Sequence, residues 1–115
     1  MAGFPLGRGN LLPVFRRQLL EPDPDNPQRL RIADLRDATG VMMRMHPPGC
    51  ERPLLGGAAA IVDVPGALVQ YDWTVADQAT YGRRAAEWHA RWTVTYSDGK
   101  TKDFPNDGWD VVSVT

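Results

Sequence analysis

The chain has 115 residues, 43% of them hydrophobic and 23% charged, with 13 Lys and Arg against 14 Asp and Glu for a formal net charge of −1. That length supports one domain with its own core, and the near-neutral balance gives no field that would hold the protein on nucleic acid or an anionic membrane, so neither is an expected partner. The single cysteine, Cys50, cannot close a disulfide within the chain, no apolar run approaches the ~18–20 residues that span a bilayer, and residues near Met1 lack a signal-peptide core, so a protein made and kept in a cytoplasm is expected.

Ten prolines and eleven glycines favour many turns, and many turns favour short strands. Residues 1–13, MAGFPLGRGNLLP, interleave Phe4, Leu6, Leu11 and Leu12 with Gly3, Pro5, Gly7 and Gly9. They read as an extended arm without a regular element, ahead of a globular domain over 14–115. Such an arm does not readily bury its apolar side chains on its own domain, so it is expected to lie across a neighbouring subunit with Phe4 and Leu6 as anchors.

Val14 to Leu20 reads as a first strand, EPDPDNP at 21–27 as a solvated loop, and Leu30 to Leu35 as a short strand or extended link. From Thr39 to His46 the chain alternates, with Val41, Met43 and Met45 on one face and Met42, Arg44 and His46 on the other. GGAAAIVD and LVQYDW, joined by VPGA, read as a hairpin in which Val69, Tyr71 and Trp73 share a face.

The stretch AAEWHARWTVTYSDGK at 85–100 admits a helix over Gly82 to Trp92, with Glu87 and Arg91 as an i,i+4 pair, or a strand. Strand wins, because Trp88, Ala90, Trp92, Val94 and Tyr96 alternate with Glu87, His89, Arg91, Thr93 and Thr95. The β-branched and aromatic run from Thr93 also prefers a pleated surface. A two-residue Asp98-Gly99 loop would send Phe104 to the polar face. A three-residue Ser97-Asp98-Gly99 loop with a bulged glycine sets it inside, opposite Trp92, and burial of Phe104 favours that register. PNDG turns the chain again and WDVVSVT closes it. About seven or eight short antiparallel strands make an all-β, immunoglobulin-like β-sandwich the expected fold, with Tyr71, Trp73, Trp88, Trp92, Val94, Tyr96 and Phe104 in its core.

Residues 71–109, YDWTVADQATYGRRAAEWHARWTVTYSDGKTKDFPNDGW, resemble the immunoglobulin-like N-terminal domain of phage baseplate upper proteins. Tyr71 and Trp73 match that family's aromatic pair, Ala90 and Trp92 its long strand, with Val94, Thr95 and Tyr96 following in register. Asp98-Gly99 and FPNDG from Phe104 to Gly108 match its closing turns. NLLP at 10–13 resembles the family's opening, and ADLRDATGVMMRM at 33–45 its second region more loosely. Three positions depart: Ala86 stands for glycine, Trp88 for tyrosine and Arg91 for glutamate. The long C-terminal assembly region of those proteins has no counterpart, so the resemblance implies a stand-alone version.

The resemblance further implies a non-enzymatic structural protein of a tailed-phage virion, made in the host cytoplasm. It would be present in many copies or as a homo-oligomer, and bound to other virion proteins of the tail, baseplate or capsid surface. A carbohydrate- or receptor-binding β-sandwich module is the competing class, and a small enzyme a distant third.

The residues themselves offer little catalytic chemistry. His46, Cys50 and His89 lack the paired spacing of a zinc site, so no metal or other cofactor is expected. No G-x-S-x-G surrounds Ser97 or Ser113, and neither LGRGN nor LLGGAAA has the form of a phosphate loop, its glycines reading as turn and close-packing positions. Arg83, Arg84 and Arg91 form either a basic patch or, more simply, part of a solvated face. Tyr71, Trp73, Trp88 and Trp92 could line a sugar platform, but their shared face reads as core. Trp109, just past a turn, is the aromatic expected to be exposed and is added to the arm as a candidate interface residue.

Overall fold

The computed structural model describes residues 4–6, 14–49, 55–81, 87–105 and 109–114. The strands are β1 (Phe4–Leu6), β2 (Phe15–Gln18), β3 (Leu20–Pro22), β4 (Leu30–Ile32), β5 (Ala38–His46), β6 (Leu55–Asp63), β7 (Leu68–Tyr71), β8 (Glu87–Tyr96), β9 (Thr101–Phe104) and β10 (Asp110–Val114), with one helix, α1 (Val75–Tyr81). The fold is all-β and sandwich-like: a curled sheet in the order β1-β10-β8-β5-β6-β7-β2, with β9 also on β8, beside a separate β3-β4 hairpin.

β8 organises the sheet because its alternation is unbroken. Trp88, Ala90, Trp92 and Val94 are fully buried, while the residues between them face outward. One edge of β8 pairs with β5, from Val41↔Val94 to His46↔His89, and the other is shared end to end by β10 and β9. The turn after β8 has the three-residue form: Gly99 takes φ 85°, and Phe104 pairs with Trp92 and is buried. Tyr96, expected in the core, is only half-buried, since its place beside the turn lets the hydroxyl donate to the Asp34 carbonyl at 3.3 Å.

β6 makes the sheet curl. Its first half pairs with β5 and its second half with β7. At Gly56, φ is 132° and a Cβ would sit 2.1 Å from the Met43 carbonyl oxygen, so only glycine allows the two backbones to meet there. The curl carries β7 and β2 over the face of β8, and Phe15 of β2 lies 4.9 Å from the Trp92 ring and 5.8 Å from Trp73, ring centroid to ring centroid.

The structure differs from expectation in three further ways. Residues 4–6 of the arm form β1, which runs parallel to β10 with Phe4↔Val112 and Leu6↔Val114 on the chain's own sheet. An edge strand needs a partner on one side only, so Pro5 is tolerated there. Leu11 and Leu12 lie outside the described residues. The expected first strand ends at Gln18, and the proline-rich loop begins two residues later than expected, because Glu21 and Pro22 belong to β3. Glu21 is 7% exposed, with its carboxylate accepting from Arg31 at 2.8 Å and from the Asp34 N–H at 3.3 Å.

The third change is α1, which no expectation included. Thr74 caps it: its hydroxyl accepts the Asp77 N–H at 3.1 Å and its own N–H donates back to the Asp77 carboxylate at 3.0 Å. Tyr81 at its far end is fully buried against Trp73, 5.7 Å away.

This packing has measurable consequences. Trp92→Ala should cost about 3–5 kcal/mol in a denaturant titration, whereas the outward Thr95→Ala should stay within ~0.5 kcal/mol; equal losses would refute the inside–outside assignment of β8. Gly56→Ala should cost about 1–3 kcal/mol because the added methyl meets backbone, while Gly40→Ala, with open space around it, should be neutral or slightly stabilising in the same titration.

Candidate functional site

The four histidine and arginine positions that alternation sets on the outer face of β5 and β8 are brought into one group. In register, His46 stands opposite His89 and Arg44 opposite Arg91. Trp109 immediately precedes β10, whose first residue Asp110 pairs with Ala90 on the inner side. The residue before it therefore faces outward and falls beside Arg91.

The Trp109 ring lies along this face. Arg91 places its guanidinium carbon 4.2 Å from the ring centroid, a cation–π contact. His89 is near parallel to the ring at 6.0 Å, with an interplanar angle of 16°. His46 meets it edge-on at 4.6 Å. His46 is thereby 7% exposed, which corrects the reading of its side chain as part of an open polar face. It points outward, but Trp109 lies across it.

The hydrogen bonds fix the ring orientations. His46 Nδ1–H donates to the Pro47 carbonyl at 2.9 Å, and Nε2 is buried and without a partner among the described residues. His89 Nε2 contacts Glu87 at 3.2 Å. Arg91 also approaches Asp103 at 3.9 Å, so it is a half-buried support for Trp109 and not part of an open basic patch. Arg83 and Arg84 lie outside the described residues.

The residues considered for other chemistry do not converge. His46 and His89 are adjacent, 5.8 Å between rings, but Cys50 lies outside the described residues, and no group of three metal-ligating side chains occurs among those described. Ser97 sits in the β8–β9 turn, and Ser113 is within β10 opposite Glu87. Tyr71, Trp73, Trp88 and Trp92 are core, as their shared face implied. The Tyr71 hydroxyl donates to Asp77, and burial together with that bond holds the phenol well above its usual range.

Two other features are electrostatic but self-contained. A groove of about 530 Å³ between the β3–β4 hairpin and β9 is lined by Glu21, Arg31, Lys102, Arg91 and Asp103; Glu21 pairs with Arg31 and Lys102, and Asp103 with Arg91. At the seam where β2 approaches β10, Asp110 accepts from the Trp92 indole at 3.2 Å and meets Arg17 at 3.6 Å. Burial raises the Asp110 pKa, with Arg17 and the indole N–H opposing.

Trp109 is the site residue that the sequence identified and the structure exposes. It is 41% exposed, against 5% for Trp73 and 0% for Trp88 and Trp92. Iodide should therefore quench one component of the emission, and that component should vanish in Trp109→Phe; unchanged quenching in the variant would put another indole at the surface. Comparison of the chain with models of known protein families and with curated proteins finds no match.

Proposed function

We propose that the protein is a non-enzymatic structural component of a tailed-phage virion that works through protein–protein contacts in the tail, the baseplate or the capsid surface. The resemblance of residues 71–109 to the immunoglobulin-like domain of baseplate upper proteins supports this reading. The observation that carries it is the position of β1. This strand, built from the arm, stands at the end of the sheet order and is held by a three-residue parallel register.

A terminal strand offers its second edge to another chain, and main-chain pairing of that kind is a general route to assembly. In this reading the arm contributes twice, closing its own sheet through β1 and presenting that edge to the neighbour. Its partners are other virion proteins and further copies of this chain.

The test is deletion of residues 2–10. The shortened protein should keep the cooperative unfolding of the β2–β10 body, because Trp88, Trp92, Phe15 and the other core residues described all belong to that body, yet lose incorporation into particles. Incorporation equal to that of the full chain would overturn the role given to the arm.

A further inference from the structure

Two apolar faces of this chain lie open to solvent. The first is the outer side of β6. Between Leu55 and Asp63 this strand has no polar side chain, which is the pattern of a strand covered on both faces. Only one face is covered: Ala59 and Ile61 pack against the core, whereas Gly56, Ala58, Ala60 and Val62 are exposed. Met42 of β5 stands opposite Ala58 and is 42% exposed, and Val62 is 47% exposed.

The second is the outer side of the β3–β4 hairpin. Its inner side is polar: Glu21 is buried, takes the Arg31 guanidinium at 2.8 Å and meets Lys102 of β9 at 3.9 Å. Leu20 pairs with Ile32 and Pro22 with Leu30, so these side chains lie together on the opposite side, turned away from β9. Leu30 is 65% exposed, Ile32 47% and Leu20 38%. A two-stranded hairpin ordinarily keeps its apolar side against a partner, and this one presents it to solvent.

Each face suits the other better than it suits itself. The hairpin is narrow and bulky, with leucine and isoleucine standing out, whereas the β6 face is flat, with glycine and alanine where that bulk would rest. The charges match as well. Arg44, opposite Gly56 at one end of β6, is exposed and has no carboxylate within salt-bridge distance among the described residues. The hairpin turn at 23–29 carries Asp23 and Asp25 against Arg29, all exposed, so it is acidic on balance. Asp63 stands at the far end of β6 and disfavours the acidic turn there, which sets the direction of docking.

We propose that the outer side of the β3–β4 hairpin docks on the outer side of β6 in a second copy of this chain. Leu20, Leu30 and Ile32 cover Met42, Ala58 and Ala60, and the acidic turn lies beside Arg44. The contact is head-to-tail, so it repeats from copy to copy into a ring or an open chain. It uses neither β1 nor the edge that β1 presents, and so goes beyond the assembly role given to the arm.

The experiment is sedimentation velocity of the full-length protein from about 10 μM to about 1 mM. The patches are small for an interface, so association should be weak, with Kd on the order of 100 μM and species beyond the dimer at the highest concentration. Leu30→Glu and Ala58→Glu, both at exposed positions and checked for an unchanged melting transition, should each weaken self-association at least about tenfold. Mixed together they should recover it as a heterodimer and nothing larger, because the first keeps its β6 face and the second its hairpin. Arg44→Ala should weaken the contact about threefold at low salt.

The proposal is overturned if the parent stays monomeric throughout, if either variant associates as tightly as the parent, or if the mixture stays monomeric. Deleting residues 2–10 should leave the association unchanged. Its loss on that deletion would assign the contact to the β1 edge and overturn this proposal, whereas particle incorporation by the shortened protein bears only on the role of the arm.

Discussion

The contact between Phe15 and Trp92, 4.9 Å between ring centroids, is where the two halves of the sheet close on each other. Phe15 comes from β2 at one end of the strand order and Trp92 from β8 well inside it, so the contact exists only because β6 bends the sheet between them. Around it Trp73, Tyr71 and Tyr81 continue as a run of rings 5.4 to 5.8 Å apart. Large aromatic side chains bury much area with few torsions to fix, so they suit the narrow interior of a small curled sheet. The polar tips within it are handled locally, the Tyr71 hydroxyl by Asp77 and the Trp92 indole by Asp110.

The same geometry produces the outer face of β5 and β8. Alternation that drives Trp88, Ala90 and Trp92 inward must drive Glu87, His89 and Arg91 outward, and the register with β5 sets Arg44 and His46 beside them. β10 then delivers Trp109 from the other edge of β8. The group is thus built from side chains of β5 and β8, whose backbones are fixed by ladder hydrogen bonds, and from Trp109 at the entry to β10.

The parts of this fold legible in the sequence were those governed by neighbours in the chain. β8 was readable because ten residues obey one period, and the Ser97–Gly99 turn because only one register buries Phe104. The glycines of LLGGAAA were read as close-packing positions, and Gly56 fills that role. What escaped depended on distant partners. Glu21 looks like a loop acid until Arg31 and the Asp34 N–H are beside it, and His46 looks exposed until Trp109 lies over it. Helix α1 is too short to show a period, although Thr74 and Asp77 stand at capping-box spacing. β1 escaped for a related reason: glycines and prolines argue against a strand, but an edge strand needs only a complementary backbone next to it.

The parallel pairing of β1 with β10 joins the first strand of the chain to the last. More than a hundred residues lie in the loop that this pairing closes, from Phe4 to Val112, and closure entropy grows with the length of the loop. Synthesis proceeds from the N-terminus, so β1 is made before the other described strands and waits until they have been made before its partner exists. The central pairs, β5 with β6 and β8 with β9, close much shorter loops and can form earlier. The edge of the sheet is accordingly the last part of the molecule to be finished, and the body of the domain has to be able to form without it.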